Sequence, residues 1–219
     1  MNKVSKAVLI SAFLTAAALP FLLPKDVAHP SAPAIAHLSP LEDLGKNIFF
    51  DPSLSEPPGI SCASCHDPAA GFSGNNGGIH GVARGAKNNV EGTRNTPNIS
   101  YISFTPPFHV EKDEEGADLP VGGFFHDGRV STLEEQALKP LLHPREMNNG
   151  TLENLADKLS KTSYADDFKT FGNRNIFSDV QKTTDLAARA LSAFEKTAFF
   201  QPFSSKFDNY IRGTAQLTE

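Results

Sequence analysis

Ile60-Ser61-Cys62-Ala63-Ser64-Cys65-His66 holds both cysteines of the 219-residue chain, and its reading decides the fold. Two thiols separated by two residues can form thioethers to the two vinyl groups of one porphyrin. The histidine that follows is then carried under the ring, where its imidazole can bind iron. A thioredoxin-like redox pair would need a βαβ setting, whereas these flanks are rich in Gly, Pro and Asn. A structural zinc site would need four Cys or His ligands, and there is no second cysteine pair. The motif therefore implies one covalent haem c, held by Cys62 and Cys65 and ligated by His66.

The bulk composition is that of an ordinary folded domain, 39% hydrophobic and 21% charged with a formal charge of −5. No basic stripe or run occurs, so nucleic acid is not an expected partner. At the N-terminus Lys3 and Lys6 precede an apolar run from Ala7 to Leu23, the pattern of an export signal. Residues 1–28 read as a signal peptide, with a retained membrane anchor as the alternative. Either way the folded part lies outside the cytoplasm, which suits a haem attached after export. A bacterial, periplasmic location follows. Residues 29–39 form a Pro/Ala/His-rich linker.

Outward from the haem motif, helical signals dominate. Ser39-Pro40-Leu41-Glu42 combines a capping box with a first-turn proline, predicting a helix from Pro40 to about Phe49 that Asp51-Pro52 stops. A long Gly/Asn-rich loop runs from Asp67 to about Asn98. Ser131-Thr132-Leu133-Glu134 reads as a second capping box, opening a helix that Pro140 must end or kink. Further helices are expected from Thr151, over Tyr164–Phe171, after a third box at Ser178-Asp179-Val180-Gln181, and over Ser204–Ile211. No convincing alternating strand appears. The expected fold is all-α: a cytochrome c-like haem domain over 40–150, with long irregular loops, followed by a helical extension over 151–219.

Haem iron bound by His66 has one further coordination position, and its occupant decides the function. The candidates are His80, His109, His126, His143 and Met147. A tightly held Met or His favours electron transfer, and an open or weakly held position beside an acid favours peroxide chemistry. Read as residues alone, Glu146 is equally a solvent-facing loop carboxylate and Gln136 a helix-surface amide.

Several blocks together resemble the bacterial di-haem cytochrome c peroxidases and the related tryptophylquinone-maturing enzyme of methylamine utilisation. They are Leu44-Gly45-Lys46-Asn47-Ile48-Phe49-Phe50-Asp51-Pro52, the haem motif, Arg94-Asn95-Thr96-Pro97, Phe125-His126-Asp127-Gly128-Arg129, Glu135-Gln136-Ala137-Leu138-Lys139-Pro140, Glu146-Met147 and Ser204-Ser205-Lys206-Phe207-Asp208. The resemblance covers Leu41 to Gly213, the N-terminal haem half of the family. It implies that Gln136, Pro140 and Glu146 line the distal side of a peroxide-reacting haem, with Glu146 as the catalytic acid–base group. It also implies that His80, in Gly78-Ile79-His80-Gly81, is a displaceable second iron ligand. Arg129 could pair with a haem propionate or a carboxylate.

The sequence also departs from that pattern. The family carries two haem motifs and this sequence has one, and the family's inter-haem tryptophan is His126 here. Asn95 resembles a residue of an inter-domain calcium site, but one side-chain oxygen cannot make a site needing roughly 6–8 oxygens, so calcium is not expected. The expected function is a peroxidase reducing hydrogen peroxide with electrons from a cytochrome c or cupredoxin. The alternatives are a mono-haem electron-transfer cytochrome with His80, His126 or Met147 as fixed ligand, or half of a split enzyme working with a second haem-bearing chain. With a single haem, the second oxidising equivalent could rest on the porphyrin or on Tyr101, Tyr164 or Tyr210.

Overall fold

The computed structural model describes residues 37–74, 76–78 and 81–217. The signal or anchor at 1–28, most of the 29–39 linker and His80 lie outside the described residues. Among those described, no helix is long and apolar enough to cross a membrane.

Helix α1 (Pro40–Phe50) starts as its capping box requires: the backbone N–H of Glu42 donates to Ser39 Oγ, and Glu42 reaches back to the Ser39 N–H at 2.6 Å. Helix α2 is the single turn Cys62–Cys65. Helix α3 (Leu133–Leu142) departs from expectation at its start. Its cap is Thr132, whose hydroxyl accepts from the Glu135 N–H at 3.2 Å, while Glu135 reaches back to the Ser131 N–H. Pro140 lies inside the helix rather than ending it. The missing N–H costs the bond to the Gln136 carbonyl, but the next turn survives because His143 N–H donates to Lys139 O at 3.0 Å.

Helices α4 (Leu152–Leu159), α5 (Ala165–Phe171) and α6 (Val180–Glu195) follow at the expected places. Asp179, not Ser178, caps α6 by accepting from the Lys182 N–H. Helix α7 (Lys206–Ile211) is short and buries no side chain.

The fold is mostly helical, and a small two-stranded antiparallel sheet is added where no strand was expected. Strands β1 (His109–Lys112) and β2 (Asp118–Val121) pair with His109 opposite Val121 and Lys112 opposite Asp118. Both strands are almost wholly exposed, so they lack the apolar face that gives a strand its period-2 signal. Turn chemistry holds them together instead: Asp113 Oδ1 accepts from the N–H groups of Glu115 and Ala117, and Lys112 pairs with Asp118.

The core lies where α1 crosses α6. Gly45 makes this crossing possible, because a Cβ there would meet the Ala190 carbonyl oxygen at 1.9 Å. Around the crossing stands a block of phenylalanines. Phe49 packs edge-on against Phe194 and Phe200, each at 5.5 Å between ring centroids. Phe72 packs against Phe199 at 5.1 Å and Phe200 at 4.4 Å. With seventeen Phe and no Trp in the chain, this block carries much of the apolar burial and needs no hydrogen-bond partners. Its far edge, Phe72, reaches the haem motif.

Candidate haem site

Ser61 opens α2 in extended conformation, with its N–H donating to Ser64 Oγ at 2.9 Å. The single turn sets Cys62 and Cys65 on adjacent steps of one helical face. His66 follows as the cap residue, and its N–H donates to the Cys62 carbonyl at 2.8 Å. Its ring is fixed by a second bond, 3.1 Å from Nδ1 to the carbonyl oxygen of Phe72. A carbonyl only accepts, so Nδ1 carries the hydrogen and the neutral ring keeps its lone pair on Nε2. This is the orientation that ligating histidines receive from an outer partner. Burial holds the imidazole pKa below its ordinary value, opposed by backbone bonds from Phe72 and Pro97. The neutral ring is the form that binds a metal.

Phe72 itself sits at φ +60°, an uncommon region for a bulky side chain. The Asp67–Phe72 turn closes through the Phe72 N–H and the Asp67 carbonyl at 2.7 Å, and the Phe199–Phe200 pair clamps the ring. The aromatic core thus aims the carbonyl that aims His66.

Both thiols are shifted away from reactivity. Burial raises Cys62 far above an ordinary thiol, with Glu195 and Cys65 adding to the rise. Burial and the nearby Glu146 carboxylate push Cys65 up to about 11. A dithiol redox catalyst has the opposite character, with a lowered thiol pKa. Two protonated, half-buried thiols one turn apart beside an imidazole with its lone pair on Nε2 fit haem c.

Glu146 stands on the Cys65 side of this group. It lies in the turn after α3, where its N–H donates to the His143 carbonyl and its own carbonyl accepts from the Ala86 N–H at 2.8 Å. Next to it Met147 is 3% exposed and part of the core, so this methionine is committed to packing. The Glu146 carboxyl is half-exposed and 3.4 Å from His143 Nδ1. Burial raises its pKa, and the His143 and Arg129 charges oppose the rise. Gln136 and Pro140 lie one turn apart on α3, both half-buried.

Part of the Gly/Asn-rich loop, residues 83–92, supports Glu146. Residues 83–92 form a tight hairpin, with Gly92 N–H donating to Ala83 O, Gly85 N–H to Val90 O, and a bridge between Arg84 and Glu91. Gly85 lets it dock, since a Cβ there would lie 2.4 Å from the Arg145 carbonyl oxygen. Asn76 ties the hairpin to the haem motif. Its amide donates to the Arg84 carbonyl at 2.9 Å and to Cys65 Sγ at 3.6 Å, and its Oδ1 accepts from the Arg84 N–H. Asn76, Gly85 and Phe72 were not legible as site residues, because an amide side chain, a missing Cβ and a backbone carbonyl matter here only through partners that folding brings close.

His126, His109 and Arg129 have partners of their own, and Arg129 is still near enough for its charge to act on the Glu146 carboxyl. His126 Nε2 lies 3.0 Å from the Asn95 carbonyl oxygen, and His109 bonds Glu111 in the β-hairpin. Arg129 pairs with Asp127 at 2.6 Å and stacks over Phe125 with its guanidinium carbon 3.7 Å from the ring centroid.

One more carboxyl belongs to this neighbourhood. Glu195, the last residue of α6, is 7% exposed, and its Oε2 has no hydrogen-bond partner among the described residues. Burial pushes the carboxyl up to about 8, with Lys196 opposing and Glu134 adding to the rise. A folded-state pKa above the unfolded value means that the fold binds the proton more tightly. The resulting stability is whole below the ordinary value of 4.5 and is lost as pH rises toward about 8. Glu195→Gln is expected to match the parent near pH 4.5 and to exceed its stability by on the order of 4 kcal/mol above pH 8. Denaturant midpoints measured across that range check this, and parallel curves for the two proteins would refute it.

The di-haem cytochrome c peroxidase family matches residues 39–216. The methylamine utilization protein MauG of Paracoccus denitrificans is 35% identical over 204 residues, covering 90% of this chain and 52% of the relative. Cytochrome c551 peroxidase of Pseudomonas aeruginosa is 31% identical, over 78% of this chain and 42% of the relative. The diheme peroxidase BthA from Burkholderia thailandensis superimposes with a TM-score of 0.72 at 33% identity, over 84% of this chain and 47% of that one. The chain spans about half the length of the relatives it matches.

Proposed function

The chain belongs to the di-haem cytochrome c peroxidase family, and from that membership we propose that it is a periplasmic haem c protein that reduces hydrogen peroxide. Its electrons come from a small donor, a cytochrome c or a cupredoxin. In the split-enzyme reading a second haem-bearing chain is a further partner. The observation that carries the reading is the anchored Glu146 carboxyl on the Cys65 side of a group whose imidazole keeps its lone pair on Nε2.

Cys62 and Cys65 hold the haem through thioethers, and His66 Nε2 binds its iron. When bound, the haem supplies the redox centre that delivers electrons into the O–O bond. Glu146 accepts the peroxide proton at a carboxylate oxygen and returns it to the departing oxygen, so that water leaves rather than hydroxide. The half-exposed position gives Glu146 solvent to exchange protons with, while the Ala86 and His143 bonds keep its backbone still. Gln136 and Pro140 form the α3 wall of the same space, the amide orienting peroxide and the proline ring excluding water. His80 would be the second, displaceable residue holding the iron.

The competing reading, a mono-haem electron-transfer cytochrome, needs a fixed sixth ligand. Burial of Met147 in the core and the contact of His126 with the Asn95 carbonyl weigh against two of its three candidates. Mixing the haem-loaded protein with hydrogen peroxide in a stopped-flow spectrometer decides the matter. The expected result is a rapid change in the Soret band. A low-spin spectrum that peroxide leaves untouched would make the electron-transfer reading the correct one.

A further inference from the structure

We propose that Tyr164 is the side chain that gives up an electron to the peroxide-oxidised haem, with its proton passing to Asp51. The inference rests on the peroxidase reading above and deepens it by naming where one oxidising equivalent comes to rest.

The chain has no tryptophan and three tyrosines, and phenylalanine rings are too hard to oxidise. The oxidisable aromatic groups are therefore Tyr101, Tyr164 and Tyr210. A phenol loses an electron readily only if its proton leaves in the same event, because the phenol cation is a very strong acid. An acceptor already hydrogen-bonded to the hydroxyl meets that need.

Only Tyr164 is built this way among the described residues. Its O–H donates to Asp51 Oδ2 at 2.6 Å. The Tyr101 hydroxyl is instead an acceptor, receiving the Phe203 N–H at 3.2 Å, on an exposed side chain. Tyr210 is exposed, with its ring facing Phe207.

Position separates the three further. Tyr164 is half-buried against the core cluster and lies near enough to Cys62 of the haem-attachment helix for the two to interact electrostatically. The Asp51 carboxylate is held in place from its other side, where Oδ1 accepts the Ser53 N–H at 2.8 Å. Both Asp51 oxygens are thus fixed, and among the described residues no cation pairs with the carboxylate. In the step, Tyr164 loses one electron to the oxidised haem. Its O–H bond breaks and an O–H bond forms at Asp51 Oδ2, leaving a neutral phenoxyl radical hydrogen-bonded to a neutral acid. An electron from the small redox donor, with return of the same proton, restores both groups.

The test is electron paramagnetic resonance on haem-loaded protein freeze-quenched after one equivalent of peroxide, with optical spectra of the same samples. A tyrosyl signal is expected whose hyperfine pattern narrows on incorporation of ring-deuterated tyrosine. Tyr164→Phe should lower its yield at least about tenfold, and Asp51→Asn, which keeps an acceptor oxygen and the turn cap but cannot take the proton, should do the same. Tyr101→Phe and Tyr210→Phe should keep the signal. The Tyr164–Asp51 bond also pins the end of α1 to the start of α5, so circular dichroism and haem content must first match the parent. Should Tyr164→Phe misfold, Asp51→Asn carries the test. A Soret change with no tyrosyl signal, or with a signal indifferent to these substitutions, overturns the inference and leaves the peroxidase reading intact. No Soret change at all would sink both.

Discussion

Glu146→Gln is expected to leave haem attachment and helix content unchanged and to slow the reaction with hydrogen peroxide at least about tenfold. Glutamine has the shape of glutamate, and the backbone bonds that place residue 146 involve no side-chain atom. The substitution therefore removes only the capacity to take up and return a proton. The pH profile should change with it. Because burial raises the Glu146 carboxyl above its ordinary range, the parent rate should fall as the pH drops through that raised value, where the base becomes protonated. The variant rate should be flat over the same interval. Stopped-flow rates against pH give both readouts. Equal rates for the two proteins would remove Glu146 from the chemistry.

Gly45→Ala is expected to destabilise the protein by about 3 kcal/mol or more. In an ordinary helix interior this exchange is favourable by roughly 0.5–1 kcal/mol, since alanine loses less backbone entropy. Here the new methyl would meet the Ala190 carbonyl oxygen at 1.9 Å and its carbon at 2.5 Å. Neither can swing aside as a side-chain tip would, so α1 and α6 must part. Steric exclusion outweighs propensity, and the sign reverses. A domain of this size should melt about 10 °C lower. The haem spectrum should also change, because Phe49 and Phe194 meet at this crossing and the block they begin ends at Phe72 and His66. A neutral or higher melting temperature would show that the two helices do not touch at Gly45.

The helices read well from sequence because their start signals are local. The Ser39 box and the Thr151 cap each act within one turn of their own position. Pro140 did not end α3, because one lost hydrogen bond is tolerated when the following turn keeps its own. The β-hairpin left no trace because its strands bury almost nothing. Glu195 had a visible signal that was passed over, an acid four residues beyond Leu191 on the buried face of α6. Asn76 and Gly85 gave none, since an asparagine and a glycine are commonplace in a loop of that composition.

Among site residues the division is sharper. Cys62, Cys65 and His66 declare themselves because covalent haem attachment requires a contiguous motif, and contiguity survives in a string of letters. Glu146 is one carboxylate among 25 acidic residues until the Ala83–Gly92 hairpin is seen holding its backbone. Tyr164 is one phenol of three until Asp51, far back in the chain, is found at its hydroxyl.

What the chain's letters determined alone was the chemistry of contiguous residues: thioether spacing, an adjacent imidazole, and the local signals that begin several of the helices. Folding decided which nitrogen of His66 keeps the lone pair, where Glu146 stands and which tyrosine has a proton acceptor. Each of those depends on a carbonyl, a glycine gap or a carboxylate delivered from distant sequence, and only packing of the aromatic core and the α1–α6 crossing brings them within hydrogen-bond range.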